Sequence, residues 1–160
     1  MMKRLLLFAV AMWFIAANAQ VKDWNDPATW PNNQVPTSNN SVTILGGDTV
    51  QLTSDVTIRN ITIQSLGVLD LNGYQLEFTK KLTNHGFVTS EVNGIIYANR
   101  ADEIKGSSLI DVGALIWRDD LEVNVDILVK YTVYSVYGDL ESNGYVIFAP
   151  GSFVWDVYTL

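Results

Sequence analysis

The sequence predicts an all-β, single-domain parallel β-solenoid, on three observations. Short runs of alternating apolar and polar residues fill the chain from Val42 onward. Gly and Asn interrupt them at a period of about 20 residues, which suits one coil of short strands joined by tight corners. No helical stripe is sustained after the N-terminal segment. An antiparallel β-sandwich or meander is the alternative.

The N-terminal residues 1–19 read as a signal peptide. Lys3 and Arg4 form a charged start, Leu5 through Ala16 an apolar core too short for an ordinary membrane span, and Ala17-Asn18-Ala19 a small-x-small cleavage site. Cleavage after Ala19 is expected, with export of the remainder to a secreted or cell-surface location. No later stretch is long and apolar enough for a transmembrane helix.

Residues 20–40 form a polar lead-in. Pro27, Pro31 and Pro36 oppose continuous helix or central strand. Trp24 and Trp30 are large rings in polar surroundings. They read as a lid over the first coil, because a solenoid must protect its terminal strands. A sugar-stacking pair is the other reading.

Residues 41–160 form the predicted solenoid. Val42/Ile44, Val50/Leu52, Val56/Ile58, Ile61/Ile63, Leu69/Leu71 and Leu76/Phe78 each alternate with polar neighbours, as half-buried strands do. Gly46, Gly67, Gly86 and Gly106 fall at near-equal spacing and mark corners. Asn72-Gly73, Asn93-Gly94 and Asn143-Gly144 mark tight turns and are also the strongest hairpin signal, which keeps the antiparallel alternative open. From Leu121 to Val133 the odd positions are apolar. That run is one long strand, or two strands turning a corner without glycine. Tyr145–Phe148 and Phe153–Tyr158 are the last strand candidates.

Composition narrows the function. The net charge is −7, and loss of Lys3 and Arg4 makes the remainder more acidic still. Binding to nucleic acid, driven by cationic side chains, is not expected. Acidic polysaccharides and anionic lipid are repelled unless a cation bridges them. The chain has no Cys and one His, His85 in a turn-like context, so zinc sites and Cys/His nucleophiles are excluded and no cofactor or metal is expected. An exported chain without disulfides leans towards a bacterial origin.

The phrase Trp24-x-Asp26-Pro27-Ala28-Thr29-Trp30-Pro31, followed by Val35-Pro36 and Val42-Thr43-Ile44, resembles the opening of exported pectin-lyase-like β-helix proteins of Bacteroidota. It is also similar to the start of the cell-surface domain family named for its eight glycines. Leu69-Asp70-Leu71-Asn72-Gly73 and Leu82-Thr83-Asn84-His85-Gly86 look like successive coils of such proteins. The resemblance spans Trp24 to Thr89 and implies a right-handed coil on a secreted or surface-attached protein. It transfers no catalytic residue.

Two chemistries fit the residues themselves. Arg100 precedes Asp102-Glu103, and Arg118 precedes Asp119-Asp120. Such groups suit a small polysaccharide lyase or glycoside hydrolase on the solenoid flank, or plain solvated turns with local ion pairs. Neighbouring carboxylates on a strand point to opposite faces, which opposes a catalytic pair. Aromatic rings are the better binding candidates: Trp117, Tyr131 and Tyr134 are the expected glycan-stacking residues, with Tyr131 sharing parity with the buried set and Tyr134 of opposite parity. The leading expectation is a structural or adhesive solenoid that binds polysaccharide or stacks on itself end to end. An enzyme is the alternative.

Overall fold

The computed structural model describes residues 20–91, 93–151 and 153–156. In chain order the first strands are β1 (Val21–Asp23), β2 (Ser41–Ile44), β3 (Thr49–Gln51), β4 (Val56–Ile63), β5 (Val68–Asp70), β6 (Gln75–Asn84), β7 (Phe87–Thr89) and β8 (Ile95–Asn99).

 The second half adds β9 (Glu103–Gly106), β10 (Ile110–Arg118), β11 (Leu121–Asn124), β12 (Ile127–Tyr137), β13 (Leu140–Ser142), β14 (Val146–Phe148) and β15 (Phe153–Asp156). Among the described residues every strand pair is parallel, so the antiparallel sandwich is ruled out and the chain is a β-solenoid.

Three walls are built as the chain coils. Wall 1 stacks β2, the second half of β4, the second half of β6, then β9, β11 and β13. Wall 2 stacks β1, β3, β5, β7, the start of β10, the start of β12 and β14. Wall 3 stacks the first halves of β4 and β6, then β8, the second halves of β10 and β12, and β15. One coil is 19 residues from Val50 to Leu69, 22 from Leu82 to Ile104 and 17 from Ile110 to Ile127. The length varies at the corners, where extra residues do not disturb strand pairing.

Alternation along each strand sends every second side chain inward. The register then stacks like on like. Val50, Leu69, Val88, Ile110 and Ile127 form one buried column, and Ile61, Leu82, Ile104 and Val123 another. Each such side chain contributes about 1.5–3 kcal/mol when fully buried. A parallel coil also places each strand on the next at a separation of about 4.8 Å, so the interior is continuous from layer to layer.

The corners explain the glycine period. A Cβ on Gly67 would lie 2.9 Å from the Leu45 carbonyl oxygen, and one on Gly86 would collide with the carbonyl oxygens of Gly67 and Gln64. Close passage of successive backbones excludes any side chain there. Asn72 and Gly73 do adopt positive φ, 47° and 83°. They turn the chain from wall 2 to wall 3 rather than back on itself, and Asn72 donates its side-chain amide to Leu52 O in the coil before. The run from Leu121 turns without glycine at Val125–Asp126, and β12 bends from wall 2 to wall 3 near Tyr131.

The lead-in closes the N-terminal end. Asp26 caps a short 3₁₀ turn, Pro27–Thr29, by accepting from Ala28 N at 2.9 Å, and a second turn covers Pro31–Asn33. Trp24 and Trp30 are 1% and 6% exposed and belong to the core. Their rings meet edge to face at 4.7 Å, and Trp30 Nε1 donates to Trp24 O at 2.7 Å. Burial removes this pair as a sugar-stacking surface.

Candidate functional site

The three expected glycan-stacking residues do not form one surface. Trp117 is 7% exposed and points into the core, stacked in register beyond Ala98 and Phe78 on wall 3. The small Ala98 leaves room for the large ring, and Trp117 Nε1 donates to Gly138 O at 3.3 Å. Trp117 is therefore a core ring and not the surface ring expected from the sequence. Tyr131 is 49% exposed, because it sits where β12 bends between walls and escapes the inward parity of Ile127 and Val129. Tyr134 pairs by its backbone with Ile116 and Trp155. Its side chain lies outside the described residues, as does all of Tyr158.

Arg100 and Arg118 do converge. With Thr79, Lys80 and Asn99 they line an open groove of about 540 Å³ at the corner from wall 3 to wall 1. Arg100 and Asp119 hold φ of 55° and 68°, and the stacked Gly138 has φ 96°, so this corner is a left-handed column. The nearby acids are engaged: Asp119 faces Arg100 Nε at 3.5 Å, and Asp102 faces Lys80 Nζ at 3.2 Å. Asn99 donates to Glu77 Oε1 at 2.6 Å. The groove thus holds cations balanced by neighbouring carboxylates.

Glu103 is the most interconnected acid. It accepts from Lys105 at 2.9 Å, Lys81 at 3.3 Å and Asn124 at 3.3 Å, and its side chain is 14% exposed. The Lys105 ammonium, with help from Asn124 and Lys81, holds its carboxyl below the ordinary range against the opposing cost of burial. Among the described residues no group of three or more His, Asp or Glu side chains is arranged to hold a metal ion. His85 Nδ1 lies 3.0 Å from Ser107 Oγ at an exposed corner. Asp48, part of the Gly46-Gly47-Asp48 turn, is bound to Lys22 Nζ at 2.6 Å.

The two ends of the stack differ. At the N-terminal end a groove of about 630 Å³ runs between the lead-in and β2, lined in part by Trp30, Val35 and Val42. At the other end the inward columns lose their cover. Val129 is 0% exposed, while Phe148, its partner in the last coil, is 45% exposed. Val123 is fully buried, and its partner Ser142 is exposed. Tyr145 and Ile147 are exposed beside Phe148. β13, β14 and β15 are each bonded only to the preceding coil among the described residues. The last described layer thus sets exposed apolar and aromatic side chains beside strands paired on one side only among the described residues.

No family model, curated protein or solved structure matches this chain.

Proposed function

We propose that the protein is an exported, non-enzymatic β-solenoid with a structural or adhesive role, and that it adheres through the last coil of the stack. The single observation that carries this reading is Phe148, which continues an inward column yet stands 45% exposed. Export and a secreted or cell-surface location are supported by the charged start, apolar core and small-x-small site of residues 1–19. Kinship with exported pectin-lyase-like proteins belongs to the same proposal and is supported by the stacked parallel coils. Burial of Trp117 weakens glycan stacking as the mode of adhesion, leaving Tyr131 as its exposed ring.

Retention of the purified chain on the cells that make it tests the reading. Ile147→Asp is expected to lower retention at least about fivefold, since it sets a charge beside the exposed Phe148 that an apolar contact would have to desolvate. Leu66→Asp, at an exposed corner in the middle of the stack, is expected to change nothing. Equal retention of both variants and the unaltered chain would overturn the proposal.

A second reading, a small polysaccharide-processing enzyme, is favoured by the shared groove of Arg100 and Arg118. Product release from a polyuronate that disappears with Arg118→Gln would support it over the first.

A further inference from the structure

We propose that the last coil binds a cationic, strand-forming segment of a partner protein, added as the next layer of the stack. This rests on reading that coil as the docking surface and names the chemistry of what docks there.

The first observation is the edge itself. β13 and β14 are paired on one side only among the described residues, so their outer N–H and C=O groups can take another strand. Phe148 and Leu140, at inward positions, offer the apolar contacts an added layer would cover.

The second observation is charge. Residues 119–156 hold seven carboxylates and a single basic residue, Lys130. Residues 20–118 hold ten carboxylates and seven basic residues. The acidity of the chain is therefore concentrated in its last coils. Lys130 is bound to Asp111 at 2.8 Å, so it adds no free positive charge at the end. The side chain of Glu141, on β13 itself, is exposed and makes no hydrogen bond or ion pair among the described residues. Asp139, one residue before β13, is exposed too.

Together these select the occupant. A second copy docked by the same end would bring two acidic coils face to face, and like charges at an interface are costly. A copy docked by its other end would meet the lead-in, where Trp24 and Trp30 already fill the interior. Nucleic acid, anionic lipid and acidic polysaccharide are repelled. A strand carrying Lys or Arg on its outward positions satisfies both the edge and the charge.

Fluorescence anisotropy with the full chain and labelled peptides of about ten residues, a usual strand length, tests this. The peptides alternate Lys with Val, alternate Glu with Val, or carry Pro at the centre of the Lys–Val pattern. The Lys–Val peptide alone is expected to bind saturably. Its affinity should fall as NaCl rises from about 50 to 300 mM, and fall about tenfold more with Glu141→Lys. Glu141→Gln should give a smaller loss of the same sign. Amide exchange should slow at β13 and β14 on binding. No saturable binding, equal binding of the Glu or Pro peptide, or sedimentation showing that the chain dimerises and covers the same amides would each overturn the proposal. If Ile147→Asp abolishes cell retention while the Lys–Val peptide does not bind, the docking end stands and the cationic partner falls. If Ile147→Asp leaves retention intact, the docking end itself falls.

Discussion

The side-chain amide of Asn84 donates to the carbonyl oxygen of Ser108, 24 residues later, at 2.9 Å. The same group reaches Leu109 O at 3.2 Å, while Asn84 Oδ1 accepts from Gly86 N at 3.2 Å. Asn84 is fully buried in a column that otherwise reads Ile44 and Ile63, and it is followed by Gly106. A polar side chain survives there because both ends of its amide are satisfied by backbone. It secures the corner Ser107–Leu109 of a long coil.

Asn84→Leu should therefore cost about 2–3 kcal/mol, since it strands buried carbonyls that the apolar side chain cannot serve. Urea denaturation measures this. A loss below about 0.5 kcal/mol would show that the corner does not depend on the amide.

Two corner glycines should respond differently to alanine. A Cβ at Gly86 would collide with backbone oxygens of the preceding coil, whereas one at Gly47 would meet nothing within 4 Å. Gly47 has φ 88°, so Gly47→Ala should cost about 1–2 kcal/mol from backbone strain alone. Gly86→Ala should cost more than about 3 kcal/mol, because backbone must move. Thermal melts of both variants decide it, and the reverse ranking would contradict the stacked-corner account.

The Glu103 carboxyl, held low by Lys105 and its neighbours, makes a pH prediction. A folded value below the ordinary 4.5 means that Glu103 binds protons more weakly when folded. Its stabilisation is full above the unfolded value and is lost as pH falls through the folded one. The stability difference between the unaltered chain and Glu103→Gln should be constant near neutrality and shrink on acidification below 4.5. Its size should stay under about 1 kcal/mol, because Lys81 and Lys105 are half in water. Denaturation at several pH values would show it, and a difference that grows on acidification would contradict it.

Ile127 and Tyr145 test the inward column. Ile127 is fully buried, and Tyr145 is 75% exposed. Ile127→Asp should cost more than about 4 kcal/mol by burying an unpaired charge, and Tyr145→Asp less than about 0.5 kcal/mol. Unchanged melting of Ile127→Asp would reject alternation as a burial pattern.

The coil was legible because it repeats. Period-two alternation told which of Val50, Leu69 and Ile127 point inward, and recurring glycine told where backbones pass closely. The site was less legible, because parity breaks at the corners. Val112 and Gly113 are both buried, and the register shifts between Val112 and Ala114, which sets Leu115 and Trp117 inward. Tyr131 keeps the parity of Ile127 and Val129 yet turns outward at a bend. The exposure of Phe148 depends on what lies above its layer, which alternation within one strand does not encode. The charge gradient towards the last coils was present in the sequence and became meaningful once those coils stood at one end of a stack.

Native-state amide exchange along the full chain tests the central claim, a stack covered by tryptophan at one end and ending, among the described residues, in strands paired on one side only. Exchange should be slowest in β4, β6, β8 and β10 and fastest in β13 and β14, with the lead-in around Trp24 and Trp30 well protected. Protection of β13 and β14 equal to that of β6 in the isolated chain would contradict it.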